Sequence, residues 1–167
     1  MAMDKIDFLT DFKLLSLLAI ANMMPIVARH LFKERLSTPI DFNKKFIDEK
    51  PILGSHKTWR GLIASIIGTW IASFFIEIDQ LLAIQIAFWS MIGDMTASFI
   101  KRRRGLESGA KFTGVDQAIE SLLPLVILKR ELEITWFDVA LVTSLFMFFE
   151  IVLSPFFYKI GFRRNPY

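Results

Sequence analysis

The sequence predicts an all-α, polytopic membrane protein. About five transmembrane helices are joined by two long cytoplasmic loops, and residues 1–167 form a single membrane-embedded domain. Three observations predict this. Hydrophobic residues make up 53% of the 167-residue chain and charged residues only 22%, with a mean hydropathy of +0.45. That is more apolar than soluble domains, which reach about 45–50% only with glycine counted. Second, four stretches approach or exceed the ~20 apolar residues needed to cross a bilayer. Third, Lys and Arg are unevenly placed between those stretches. Disorder is excluded by the same composition. The absence of cysteine excludes disulfide scaffolds, thiolate metal sites and thiol catalysis, and two histidines leave little for a His-built metal site.

The first span runs from about Phe12 to Phe32, the second from Trp59 to Ile78, the third from Leu81 to Ile100 and the last from Ile134 to Ile160. A weaker segment, Asp116 to Leu128, is short and carries Glu120, so alone it reads as a re-entrant or buried segment. The distribution of basic residues decides how to count it. The stretch from Arg29 to Arg60 holds Arg29, Lys33, Arg35, Lys44, Lys45, Lys50, Lys57 and Arg60, and the third span is followed by Lys101, Arg102, Arg103, Arg104 and Lys111. Lys159, Arg163 and Arg164 close the chain, whereas the N-terminal stub carries Asp4, Asp7 and Asp11 against Lys5 and Lys13. The positive-inside rule places both basic loops and the C-terminus in the cytoplasm and the N-terminus outside. That parity requires five crossings, so the weak segment is counted as the fourth helix. No secretory signal peptide is expected, because the N-terminal region is acidic.

Charged residues within spans are costly and mark function. Asp94 lies about two turns before the cytoplasmic end of the third span. Asp94, Ser98 and Lys101 share a helix face at spacings of four and three, and Arg102 follows Ser98 by four. Arg103 and Arg104 read as lipid headgroup anchors. Asn22 precedes Pro25 in the first span. A proline there frees a backbone carbonyl, so the pair is either a helix kink with Asn22 bridging two helices or part of a polar site. Asp138 reads as interfacial near the outer end. Glu150 is deep in the last span but has no motif around it.

The long loop from Lys33 to Lys57 ends in Gly54-Ser55-His56-Lys57-Thr58-Trp59-Arg60-Gly61. Glycine, a hydroxyl and two cations at a helix N-terminus favour anions. The segment is not a P-loop, since no glycine directly precedes Lys57 and no strand comes before it. His56 reads as a loop residue rather than a ligand. Asp116-Gln117 opens the fourth segment after a turn with Gly105, Gly109 and Gly114, where a carboxylate can face Asp94. Two carboxylates beside cation clusters suit magnesium-dependent phosphate chemistry. Asp41, after Pro39, is either a turn residue or a third candidate.

With these motifs in this order, the chain resembles the CDP-archaeol synthases, in the wider membrane CTP-transferase group that includes CDP-diacylglycerol synthases. The resemblance covers nearly the whole chain. It rests on Asn22 to Pro25, Pro39-x-Asp41, Gly54-x-x-Lys57-Thr58-x-Arg60-Gly61, Gly93-Asp94-x-x-x-Ser98-Phe99-x-Lys101-Arg102-Arg103 and Asp116-Gln117. The larger CDP-diacylglycerol synthases share the Ser-x-x-Lys-Arg core, but the fuller Lys-Asp and His-Gly-Gly portion of their signature is missing. The resemblance implies a Mg²⁺-dependent cytidylyltransferase that turns CTP and a lipid phosphate, digeranylgeranylglyceryl phosphate, into CDP-archaeol and pyrophosphate. It implies Asp94 and Asp116 as Mg²⁺ ligands, with Lys101 and Arg102 joining them in catalysis. Asn22, Asp41, Lys57, Thr58, Arg60 and Ser98 are implied to bind the nucleotide or the lipid phosphate. The implied partners are CTP, a phosphorylated glycerolipid and membrane lipids, with no nucleic acid. The oligomeric state stays open, a homodimer included.

The alternatives are a CDP-diacylglycerol synthase acting on phosphatidic acid, a small transporter and a membrane subunit. A CDP-alcohol phosphotransferase would carry clustered aspartates after Asp-Gly and Ala-Arg pairs, which are missing here. A transporter would favour repeats and polar residues through the full membrane depth.

Overall fold

The computed structural model describes residues 7–108, 110, 112 and 114–159. The expectations resting on Asp4, Lys5, Gly109, Lys111, Ile160, Arg163 and Arg164 lie outside the described residues. The fold has five helices: α1 (Phe8–Phe32), α2 (Trp59–Ile76), α3 (Gln80–Arg103), α4 (Val115–Ile127) and α5 (Trp136–Lys159). They coincide with the five predicted segments to within about four residues at each end. Among the described residues there are two isolated bridges, one within the long loop and one between the loop and Thr58, and no strand.

Local capping explains where the helices start. The Asp7 carboxylate accepts from the Leu9 amide at 3.1 Å, the Thr58 hydroxyl from the Gly61 amide at 3.2 Å and the Asp79 carboxylate from the Leu82 amide at 3.0 Å. Before α5, the Thr135 amide donates to Asp138 at 2.7 Å and the Asp138 amide donates back to the Thr135 hydroxyl at 3.2 Å, a reciprocal cap. Asp138 is 4% exposed, so this residue, read as interfacial, is enclosed by its own cap.

α1, α2, α3 and α5 are long and apolar enough to cross a membrane. α4 has 13 residues, about 20 Å at 1.5 Å per residue, short of the ~30 Å hydrocarbon core. It is a helix of the bundle but not a full-length span. Its direction still completes the alternation. One apolar cluster gathers Leu14, Leu17 and Leu18 from the start of α1, Ala83 and Ile86 from the start of α3, Leu125 from the end of α4 and Val139, Val142 and Phe146 from the start of α5. Ile76 and Ile78, at the end of α2, pack against it. Helix starts and ends therefore meet at one level, as an up-and-down bundle requires.

Small residues bring the helices together, as membrane packing favours. Gly61, Ser65, Thr69 and Ser73 form a buried stripe on α2, while Ile63, Ile67, Trp70, Ile71, Phe74 and Phe75 point outward. A Cβ on Gly61 would lie 3.3 Å from the Pro25 side chain of α1. A Cβ on Gly93 would lie 2.6 Å from the Ile119 carbonyl oxygen and 3.0 Å from the Glu120 Cα. Only glycine permits this approach of α3 to α4.

Candidate active site

A polar cavity of about 640 Å³ opens at the end of the bundle opposite the apolar cluster. Asn22 and Arg29 of α1, Lys57 and Thr58 before α2, Arg60 of α2, Asp94 and Lys101 of α3, Asp116, Gln117 and Glu120 of α4 and Glu150 of α5 all line it. Every helix contributes, which is why the α3–α4 approach at Gly93 matters to the site.

Two lysine–aspartate pairs form its centre. The Lys57 ammonium donates to both oxygens of Asp94 at 2.5 Å. Burial pushes the Lys57 pKa down, but Asp94, followed by Glu120, outweighs it and holds the ammonium above its ordinary 10.5. The Lys101 ammonium donates to Asp116 Oδ2 at 2.9 Å, and the Phe112 amide donates to the same oxygen at 3.3 Å. Asp116 Oδ1 is buried without a hydrogen-bond partner. Buried carboxylate oxygens are ordinarily satisfied, so this one has capacity for a further cation.

Other predicted residues reach the cavity while holding the frame. Asn22 Nδ2 donates to the Leu18 carbonyl at 2.9 Å and to Ser90 Oγ at 3.0 Å, so it bridges α1 and α3 and lines the site as well. α1 continues helical through Pro25. Thr58 caps α2. Arg60 Nη1 donates to the carbonyls of Lys33 at 2.7 Å and Arg35 at 2.5 Å, which pins the start of the long loop to α2.

Three predicted residues do not line the cavity. Asp41 is 8% exposed, and its carboxylate accepts from the amides of Asn43 at 3.0 Å, Leu53 at 2.8 Å and Gly54 at 3.1 Å. Burial pushes its pKa up, but these amides hold it below the ordinary carboxylate value of 3.8. Asp41 organises the loop. Ser98 and Arg102 are each 3% exposed. Arg102 Nη2 donates to the Glu107 carbonyl at 2.6 Å. The helix period accounts for the split: Lys101 returns to within about 20° of Asp94, whereas Arg102 stands about 80° round.

Arg103, read as a headgroup anchor, is engaged within the protein. Its guanidinium lies 4.9 Å from the rings of both Phe46 and Phe99 and pairs with Asp48. Arg104 lies over the Phe112 ring at 4.9 Å.

The sequence pattern gives Glu120 no role beyond weakening the fourth segment as a span. Glu120 lies beside Asp94, within hydrogen-bonding reach of that carboxylate. The available signal was the spacing of four from Asp116, which puts both carboxylates on one α4 face. Glu150 also lines the cavity without any sequence motif to announce it.

Two lysine–carboxylate pairs around one cavity, in a bundle with four helices long enough to cross a membrane, suit a membrane protein that handles phosphate groups. The chain matches the CarS-like CDP-archaeol synthase family over residues 12–167, and it belongs to that family. It is 31% identical over 137 residues to a CDP-archaeol synthase of Saccharolobus solfataricus, covering 78% of this chain and 82% of the relative. A CDP-archaeol synthase of Sulfurisphaera tokodaii is 33% identical over 138 residues, with the same coverages. One of Archaeoglobus fulgidus is 40% identical over 107 residues, 54% of this chain and 60% of the relative. The fold is similar to a solved intramembrane enzyme for archaeal membrane lipids biosynthesis, with a TM-score of 0.70 and 22% identity over 83% of this chain and 90% of that one. The chain is thus a CTP-utilising cytidylyltransferase and a multi-pass membrane protein.

Proposed function

We propose that the cavity joins CTP to digeranylgeranylglyceryl phosphate, giving CDP-archaeol and pyrophosphate, with Mg²⁺ held by Asp94 and Asp116. The observation that carries this reading is the facing of the pairs Lys57–Asp94 and Lys101–Asp116 in one cavity. The donor set fits the ion. Among the described residues no three His, Asp or Glu side chains gather as a metal cage, but Mg²⁺ is commonly held by one or two carboxylates together with substrate phosphates. The orphaned Asp116 Oδ1 is an available ligand atom. Bound there, the ion supplies charge neutralisation for the triphosphate.

The side chains do the rest. Lys57 and Lys101 exchange their carboxylate partners for phosphate oxygens and orient the triphosphate. The lipid phosphate has a second pKa near 6, so at neutral pH it is a competent nucleophile and needs no covalent intermediate. Its oxygen attacks the α-phosphorus of CTP, the bond from that phosphorus to the bridging oxygen breaks, and pyrophosphate leaves with the electron pair. Catalysis is positioning and charge stabilisation. The basic residues around the cavity support a cytoplasmic site in the cell membrane, with the N-terminus outside.

The test is an assay of purified protein in detergent with labelled CTP and Mg²⁺, run in parallel on digeranylgeranylglyceryl phosphate and phosphatidic acid. Product from the ether lipid alone is expected. Product from phosphatidic acid alone overturns the substrate, and no product from either overturns the reading.

A further inference from the structure

The long loop contains a small hairpin that the cytidylyl transfer does not use. Lys45 and Pro51 form an antiparallel bridge, the Phe46 amide donates to the Lys50 carbonyl at 2.8 Å and the Ile52 amide donates to the Lys44 carbonyl at 3.1 Å. The turn at its tip carries Phe46 and Ile47. Ile47 is 91% exposed, the highest value among the large apolar side chains of the described residues, and Phe46 is 42% exposed.

The hairpin is fastened to the end of a membrane helix. Phe46 meets Phe99 of α3 edge to face, with centroids 5.3 Å apart. The Arg103 guanidinium covers both rings and pairs with Asp48, and the Lys50 ammonium donates back to the Arg103 carbonyl at 3.2 Å. These contacts fix its depth. α3 has 24 residues, about 36 Å, against a hydrocarbon core of ~30 Å. Phe99 lies about 6 Å along the axis inside Arg103. A ring packed on Phe99 therefore stands at the level where α3 leaves the hydrocarbon. At that level an isoleucine tip whose three exposed lysines, Lys44, Lys45 and Lys50, outnumber its two carboxylates, Asp48 held by Arg103 and Glu49 paired with Lys45 at 3.6 Å, has the chemistry of an interfacial anchor, apolar into the acyl boundary and net cationic toward anionic headgroups.

We propose that the Lys44–Pro51 hairpin docks into the headgroup region of the protein's own membrane through Phe46 and Ile47. The partner is the lipid surface, continuous with the lipid-facing side of the bundle. This inference does not depend on which lipid phosphate the enzyme uses.

The chain has no cysteine, so single cysteines can be spin-labelled cleanly. Ile47→Cys, Lys44→Cys, Phe75→Cys and Glu107→Cys are labelled in protein reconstituted into vesicles of phosphatidylcholine and phosphatidylglycerol. Collision with oxygen is compared with collision with a water-soluble nickel complex. Phe75, 83% exposed on α2, reports lipid, and the exposed Glu107 reports water. The Ile47→Cys label is expected to show an oxygen-to-nickel ratio several-fold above Glu107→Cys and approaching Phe75→Cys, with Lys44→Cys between. A ratio at Ile47→Cys equal to that at Glu107→Cys overturns the proposal. Protection from both reagents, the sign of a contact with a second copy or another protein, overturns it as well.

Discussion

Lys57 closes on both oxygens of Asp94 at 2.5 Å, so the last residue of the long loop is tied to α3 just past its midpoint. The pair joins the long loop to the membrane helix that carries the carboxylate. It also leaves each group with a partner of opposite charge that substrate and metal can replace.

Asp94→Asn removes the charge and keeps the shape. Turnover of CTP is expected to fall by at least about 100-fold, while the detergent-purified protein keeps its helical circular dichroism. An Asp94→Asn protein with near-normal turnover removes Asp94 from the mechanism.

Asp116→Asn tests the metal reading. With Oδ1 orphaned, the substitution is expected to raise the Mg²⁺ concentration for half-maximal rate by about 10-fold or more, on the order of the loss seen when metal-site partners are altered. A Mg²⁺ titration superimposable on wild type would assign Asp116 to holding Lys101 alone.

Asp41 is expected to matter for stability more than for chemistry. Asp41→Ala strands the amides of Asn43, Leu53 and Gly54 at a cost of about 1–3 kcal/mol, read as a lower unfolding temperature. Because the carboxyl's folded pKa lies below 3.8, its stabilisation is present above that value and is lost as pH falls through the folded pKa. The stability gap between wild type and Asp41→Asn should therefore narrow under acid. A gap independent of pH refutes the ionic role.

Two glycines should respond differently to alanine. At Gly93 the new Cβ meets the backbone of α4, whereas at Gly68 it meets the Met24 side chain at 2.4 Å, and methionine can turn away. Gly93→Ala is expected to cost about 1–3 kcal/mol and to lower turnover by separating Asp94 from Asp116. Gly68→Ala should cost less and react nearly as wild type, because Met24 must change rotamer to clear a contact at its Cγ but no backbone has to move. Equal losses for both would mean that the α3–α4 approach is not what sets the site.

The helices and the centre of the cavity were legible in the sequence because each has a local cause. Runs of apolar residues long enough for a bilayer fix α1, α2, α3 and α5. Lys57, Asp94, Lys101 and Asp116 stood out because charge in or beside a span is costly unless it is used. What the residues alone left open was which way each side chain turns. Asp41 and Arg102 carry the same charges as lining residues, yet one accepts from three amides and the other is buried and donates to the Glu107 carbonyl. Glu120 and Glu150 enter the site only because α4 and α5 are packed to point them inward. Sequence by itself determined the membrane class, the four long apolar helices and the charge chemistry, since these follow from composition and spacing within single elements; the fourth segment was countable only from the charges of the loops around it. The tertiary structure alone decided which of those charges share one cavity, because that depends on how closely helices approach, and at Gly93 the approach is set by a side chain that is not there.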